Sequence, residues 1–113
     1  FGLTENLGNL ANVYNHLGQH DESIVYYKQA IVTAREIGDK RAEGNNLGNL
    51  GMQYRHLGRY NEAIQYYKQA IQITQKNGYR TTEGSHLGNL GNVYQNLKLY
   101  LHIKIKLLHL FLL

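Results

Sequence analysis

Histidine and asparagine are the residue types in this sequence that recur at fixed intervals and could take part in chemistry. His16 and His56, two of six histidines, stand forty residues apart in matching contexts. A helical zinc site of the H-E-x-x-H kind needs a second histidine four residues after the first and a glutamate directly after the first. His20 follows His16 at that distance, but Leu17 stands in place of the glutamate, and His56 has neither feature. Ser23 and Ser85 lack the strand-to-helix turn that exposes a catalytic serine. We therefore expect no metal, no cofactor and no enzyme activity.

Composition and charge narrow the class of protein. The 113 residues, of which 42% are apolar, suffice for one small domain, 1–113, and include no cysteine. The net charge of +4 comes from the end of the chain, because residues 1–97 carry nine basic and eight acidic side chains. A nucleic-acid binder concentrates its basic groups on one face, so no nucleic-acid partner is expected. No apolar run approaches the roughly 18–20 residues of a membrane span, and we expect a soluble, cytoplasmic protein.

An internal repeat organises the chain. Residues 7–46 match residues 47–86 at 19 of 40 positions without a gap. The match continues into 87–100, at eight of 14 positions, and then stops, because none of the 13 residues of 101–113 equals its counterpart. The domain therefore divides into repeat 1 (4–43), repeat 2 (44–83), a partial repeat 3 (84–100) and a divergent apolar tail or cap helix (101–113).

Each repeat is predicted to form two helices. In the first helix of repeat 2, apolar residues from Leu47 to Leu57 recur at three- and four-residue spacing, which places them on one face. Gly58 and Gly78 are predicted to end the two helices in the left-handed conformation. Asn61 is predicted to cap the start of the second helix, and Asp21 has the same predicted role in repeat 1.

Glycines inside the predicted helices indicate close packing, since each costs about 1 kcal/mol relative to alanine. We expect Gly51 and Gly91 to let a neighbouring helix approach. For Gly8, Gly48 and Gly88 two interpretations stay open, a helix contact and a place in the lining of a groove.

The face of each first helix that points away from the apolar stripe is rich in side-chain amides. An amide both donates and accepts hydrogen bonds, so a regular ladder of amides can bind the backbone of a peptide whatever its side chains. Alternatively, Asn9, Asn49 and Asn89, which directly precede core leucines, satisfy loop carbonyls between repeats. The candidate residues of a peptide-binding groove are Asn9, Asn12, His16, Asn45, Asn49, Met52, Arg55, His56, Asn89, Asn92 and Asn96.

A set of small, apolar and aromatic residues in repeat 2 stands at a characteristic spacing: Leu47, Leu50, Gly51, Tyr54, Gly58, Tyr60, Ala63, Tyr67 and Ala70. This spacing resembles the signature of the tetratricopeptide repeat, with Leu47 in place of the more common tryptophan, and the resemblance covers residues 4 to 100. The period of forty exceeds the usual 34 residues. It is similar to the longer repeats of Pins-type spindle-orientation adaptors and of kinesin light chains.

The resemblance implies an all-α fold, an α-solenoid of antiparallel helix pairs in a right-handed superhelix of about two and a half repeats. It also implies a non-catalytic scaffold that binds a peptide segment of a protein partner in the concave groove lined by the first helices. Two alternatives are a regulatory or sensor module of a larger protein, with or without an enzymatic domain, and a truncated fragment without independent function.

The apolar tail departs from the repeat. Where alanine, tyrosine and alanine are expected, it has Ile103, Leu107 and Leu110, which would crowd a close helix contact. As a helix, the tail is expected to cover the apolar edge of repeat 3, and its surplus apolar surface predicts self-association through 99–113. Its alternation of apolar and charged residues also fits an aggregating strand, and association with a membrane surface is a further alternative.

Overall fold

The structure of the chain is a computed structural model that describes residues 2–112. Phe1, and Leu113 at the end of the predicted tail, lie outside the described residues. Helices account for nearly all of the described part, which contains no strand, so the strand alternative for the tail is wrong. The helices are α1 (Leu3–His16), α2 (His20–Ile37), α3 (Lys40–His56), α4 (Tyr60–Asn77) and α5 (Arg80–Leu112).

The helices stack in chain order into an elongated solenoid of 61 × 30 × 19 Å. Each helix packs against the next one along the chain, and α3 also contacts α1 and α5. The first helices of successive repeats are therefore neighbours, with α2 and α4 packed beside them. This arrangement confirms the predicted all-α solenoid of helix pairs.

Buried aromatic rings fill the space between the two helices of each repeat. Tyr67 on α4 is 1% exposed. The rings of Tyr54 and Tyr66 stack with their centroids 5.3 Å apart, and Tyr14 stacks on Tyr26 at the same distance. Offset stacking of this kind adds about 0.5–1.5 kcal/mol beyond the area that the rings bury. The spacing of the repeat thus sets the same aromatic contact twice.

Two of the predicted helix ends are confirmed, whereas both predicted caps are wrong. Gly58 and Gly78 have φ of +73° and +71°, the left-handed conformation. The residues before α2 and α4 are Gln19 and Arg59, and neither forms a side-chain cap. Their backbone N–H groups bond back to carbonyls of the preceding helix at 2.9 Å. Because the backbone closes the turn, each second helix starts before the residue predicted to cap it, Asp21 or Asn61.

Glycine allows one of the two predicted helix contacts. A Cβ on Gly51 would lie 2.9 Å from ring carbons of Tyr67, so only glycine lets α4 approach α3 this closely. The prediction for Gly51 is confirmed. The prediction for Gly91 is wrong, because an added Cβ there would meet nothing within 4 Å. The reason is that no second helix packs onto this face of α5.

Helix α5 continues where the first two repeats turn. Lys98 stands at the position of Gly18 and Gly58, whose φ angles are +74° and +73°. A left-handed backbone costs a non-glycine residue about 1–2 kcal/mol, so continuing the helix is favoured here. Residues 101–112 extend α5 and are all exposed. The expectation that the tail covers the edge of repeat 3 is therefore wrong.

Candidate functional site

A groove lies between α1 and α3, beside the connection from α2 to α3. It encloses about 460 Å³ and is open to solvent. Helices α1 and α3 are the first helices of repeats 1 and 2, and each contributes the face that the sequence predicts to be rich in amides. The lining residues are Thr4, Glu5, Gly8, Asn9, Asn12, Ile37, Asp39, Arg41, Ala42, Asn45, Asn46 and Asn49.

Four of the predicted site residues meet in this groove. Asn9 and Asn45 are exposed, and Asn12 and Asn49 are half-buried. The hydroxyl of Tyr27 donates a hydrogen bond to Oδ1 of Asn12, which ties α1 to α2. Burial raises the pKa of the Tyr27 hydroxyl, more than its hydrogen bond with the Ser23 side chain lowers it, so it stays a donor. The Asn12 amide is thereby held in place at the groove wall.

The alternative role for asparagine, binding loop carbonyls between repeats, has no support in the contacts. Across residues 2–112, the amides of Asn9, Asn49 and Asn89 take part in no side-chain hydrogen bond within the protein. Two other asparagines do bond carbonyls, but within their own helices: Asn46 Nδ2 donates to the oxygen of Ala42 at 2.9 Å in α3, and Asn77 Nδ2 donates to that of Ile73 at 2.8 Å in α4.

Asn46 also joins the repeats, a role that sequence reasoning missed. Its Oδ1 lies 3.1 Å from the position that a Cβ on Gly8 would occupy, so the amide packs directly on α1. The recurrence of Gly8 as Gly48 and Gly88 in the sequence was the signal that could have revealed this contact. At Gly8 a side chain of the next repeat fills the space above the glycine, and Gly8 also lines the groove.

Charged side chains at one end of the groove were missed as well. Asp39 caps α3, since its Oδ1 accepts a hydrogen bond from the backbone N–H of Ala42 at 3.0 Å. Glu5 and Arg41 face the same opening. The Arg41 guanidinium lies 4.0 Å from the centre of the Tyr79 ring, a cation–π contact that reaches the connection between α4 and α5. The groove therefore offers amides, two carboxylates and one cation.

The predicted site residues at the C-terminal ends of α1 and α3 have contacts of their own. Arg55 Nε donates to Oδ1 of Asn96 at 2.7 Å, which ties α3 to α5. Met52 packs against the core. The Nδ1 of His16 lies 2.7 Å from the backbone oxygen of Asn12, four residues earlier in α1.

His56 sits at the joint between repeats 1 and 2. Its ring stacks on that of His20 with the centroids 5.1 Å apart. Burial, and then the charges of His20 and Arg55, lower the pKa of His56. The Nδ1 of His20 in turn lies 2.8 Å from Oε1 of the buried Gln53. This histidine pair is part of the packing between repeats.

The amides of repeat 3 lie apart from the groove between α1 and α3. Asn89 is half-buried and Asn92 is exposed on α5, and neither lines that groove. Among residues 2–112, no three histidine or acidic side chains cluster as metal ligands would. Within the same range, no helix combines the length and apolar character that crossing a bilayer requires.

These repeats belong to a known family. A family model described as tetratricopeptide repeat matches residues 3–76 and again residues 41–101. The chain is therefore a member of the tetratricopeptide repeat family, whose repeats generally mediate protein–protein interaction. No curated protein matches it.

Solved structures with the same architecture are similar to the chain. BtubC (BKLC) from P. vanneervenii has a TM-score of 0.74 and 27% identity over 82% of this chain and 38% of that one, so this chain spans well under half of BtubC. The designed protein DA05 has a TM-score of 0.68 and 25% identity over 72% of this chain and 81% of that one. The TPR domain of Arabidopsis FLU, with a TM-score of 0.67, 17% identity and coverage of 91% and 95%, supports the fold alone.

Proposed function

We propose that this chain is a non-catalytic scaffold that binds a peptide segment of a partner protein in the groove between α1 and α3. The observation that carries the proposal is the group of amides in that groove, of which Asn9 and Asn49 form no side-chain hydrogen bond within residues 2–112. An open amide has one donor group and one acceptor group available for a ligand, which matches the N–H and C=O groups of a peptide backbone.

The charges at the groove set the preferred ligand. Glu5, Asp39 and Arg41 lie near one end of the groove, where two carboxylates outnumber one guanidinium. A peptide with a basic residue at that end would therefore be preferred over an acidic one. The same carboxylates disfavour nucleic acid as a partner, because they repel phosphate groups. The surplus of basic residues lies in the tail and not in the groove.

Selection from random peptides displayed on phage tests the proposal without knowledge of the partner. The immobilised chain should enrich peptides whose binding to the chain in solution is measured by fluorescence anisotropy. Replacing both open amides, Asn9→Leu with Asn49→Leu, should weaken that binding by about tenfold or more, because each lost hydrogen bond contributes about 1 kcal/mol.

The matched control changes two exposed amides on the second helices, Gln29→Leu with Gln69→Leu. This control should leave the affinity for the selected peptides unchanged. If the groove variant binds the peptides as tightly as the unchanged chain, or if the control weakens binding as much as the groove variant does, the proposal is wrong.

The remaining predictions about this chain concern its partners and its context. Self-association through the apolar tail 99–113 and a cytoplasmic location stay part of the proposal. A regulatory role inside a larger protein is the second candidate, and it is favoured by the coverage of only 38% of BtubC. Two observations would distinguish this regulatory role from that of a free-standing scaffold. The chain would be attached to a catalytic domain, and the activity of that domain would change when the groove binds a peptide.

A further inference from the structure

Helix α5 carries a regular stripe of exposed residues that the peptide-binding groove does not use. The stripe repeats at alternating intervals of four and three residues, the spacing of a coiled-coil seam. Leu87 is 49% exposed, and Tyr94 and Leu101 are each 45% exposed, which are large fractions for such side chains. The full stripe is Leu87, Gly91, Tyr94, Lys98, Leu101, Ile105, Leu108 and Leu112.

The stripe is complementary to a second copy of itself in the antiparallel direction. When two α5 helices are aligned antiparallel about the midpoint between Leu99 and Tyr100, every stripe position meets a stripe position of the other copy. Gly91 then faces Leu108 of the second copy, and Tyr94 faces Ile105 of the second copy. The overlap extends from residue 87 to residue 112, about 39 Å of helix.

The antiparallel direction is favoured over the parallel one by the types of residue that meet. A parallel pair would place Lys98 against Lys98 and Gly91 against Gly91, which brings together two like charges and leaves a void. The antiparallel pair places the small Gly91 against a leucine and Lys98 against Leu101. A single lysine in a coiled-coil seam is a known determinant of register and oligomeric state.

The contacts of repeat 2 indicate the same register independently. On α3 and α4, Gly51 packs against Tyr67 and Tyr54 stacks on Tyr66. Moved forward by the forty-residue period, these contacts pair Gly91 with position 107 and Tyr94 with position 106. The antiparallel alignment of two α5 helices pairs Gly91 with position 108 and Tyr94 with position 105, so each pairing differs by one residue from the one that repeat 2 predicts.

We propose that two copies of this chain dimerise by exchanging their tails, so that residues 101–112 of each copy pack on α5 of the other where the second helix of repeat 3 would lie. Lys98 is the cause, because it replaces the glycine that would turn the tail back onto its own helix. Exchange of an identical element between protomers is an economical route to a dimer. This inference rests on the proposed self-association of the tail and is independent of the peptide groove.

Disulfide trapping tests the exchange directly, since the chain has no cysteine of its own. The variant Tyr94→Cys with Ile105→Cys places two thiols about 16 Å apart along one helix, too far to bond within a straight α5. Oxidation should convert most of the purified full chain into a covalent dimer on a non-reducing gel. A covalently closed monomer would mean that the tail folds back onto its own helix, and it would overturn the proposal.

Two controls fix the register and the direction. Tyr94→Cys with Ile103→Cys moves one thiol to an equally exposed residue outside the stripe and should give far less covalent dimer. Tyr94→Cys alone should also give little covalent dimer, because residue 94 of one copy faces residue 105 of the other. If this single thiol traps as much dimer as the pair does, the helices are parallel and the proposal is wrong.

Light scattering of the unchanged chain separates self-association from exchange. A dimer mass is expected at micromolar concentrations, and a monomer mass would overturn both. A dimer mass without trapping through residues 94 and 105 would overturn the exchange alone. Lys98→Gly should raise the monomer fraction, because glycine permits the turn that closes the tail onto its own helix; an unchanged dimer fraction would contradict the role assigned to Lys98. None of these results depends on peptide binding.

Discussion

The imidazole ring of His86 occupies the space that a side chain on Gly48 would need. A Cβ built on Gly48 would overlap the ring and would lie 2.7 Å from its Nδ1. Asn46 fills the corresponding space above Gly8 one repeat earlier. The space above Gly88 is open, with nothing within 4 Å. At both joints, a side chain of the following repeat therefore packs on a glycine of the preceding first helix.

Alanine in place of Gly48, on which the His86 ring packs, should loosen the joint between repeats 2 and 3. For Gly48→Ala we expect a loss of about 1–3 kcal/mol in the free energy of unfolding, because overpacking a buried contact forces the His86 ring to move. For the matched variant Gly88→Ala we expect a gain of about 0.5–1 kcal/mol, because alanine favours the helix and meets open space. Urea unfolding of both variants measures the difference. Equal effects of the two substitutions would contradict this account of the joint.

Acid should weaken the same joint through His86. Burial lowers the pKa of this imidazole, so the folded chain takes up its proton at a lower pH than the unfolded chain does. The stability that depends on the neutral ring is present above about pH 6.5, the usual imidazole value, and is lost as the pH falls below it.

The variant His86→Asn, which copies Asn46, should remove part of this pH dependence. Urea unfolding at neutral pH and at pH values below the imidazole range, compared with the exposed control His16→Asn, gives the measurement. If His86→Asn keeps the full pH dependence of the unchanged chain, the ring is not the group responsible.

A buried carboxylate should stabilise the joint between α2 and α3. Glu43 accepts a hydrogen bond from Arg35 at 2.8 Å and one from Lys40 at 3.2 Å. Burial alone would raise the pKa of Glu43, but these two bonds together bring it below the usual value. Its stabilisation is therefore present above about pH 4.5, the usual carboxyl value, and is lost as the pH falls through the lowered pKa.

At neutral pH, Glu43→Gln should cost about 1.5–3 kcal/mol of unfolding free energy, the range for hydrogen bonds to charged groups. Thermal or urea unfolding provides the value. The control Glu62→Gln breaks the exposed pair of Glu62 with Arg59 and should change little, because exposed ion pairs are well solvated. A cost for Glu62→Gln as large as that for Glu43→Gln would argue against a special role for the buried carboxylate.

The sequence predicts the helices of this chain better than it predicts the site. Helix ends at Gly58 and Gly78 follow from the left-handed conformation that glycine adopts, and the contact of Gly51 follows from the cost of glycine inside a helix. These features depend on local conformation and on the repeat period, which are legible in one sequence. The contact between Asn46 and Gly8 depends on how far one repeat rotates against the next, and no local pattern encodes that rotation.

The course of the tail was predicted less well from the sequence than the helices of repeats 1 and 2. Its apolar residues lie exposed on α5, and the expectation that the tail covers the edge of repeat 3 is wrong, whereas self-association through it stays a prediction. The deciding residue is Lys98, where a single change from glycine removes a turn. The stripe from Leu87 to Leu112 becomes visible only when residues on both sides of Lys98 are placed on one continuous helix.

The central claim, that the groove between α1 and α3 binds a peptide, is tested most directly by NMR. The full chain, labelled with ¹⁵N, is titrated with a peptide selected from the random library, and the shifts of backbone and side-chain amide signals are followed. We predict the largest shifts at α1 and α3, including the side-chain amides of Asn9 and Asn49. Shifts confined to residues 101–112 of α5, or to α2 and α4, would contradict the claim.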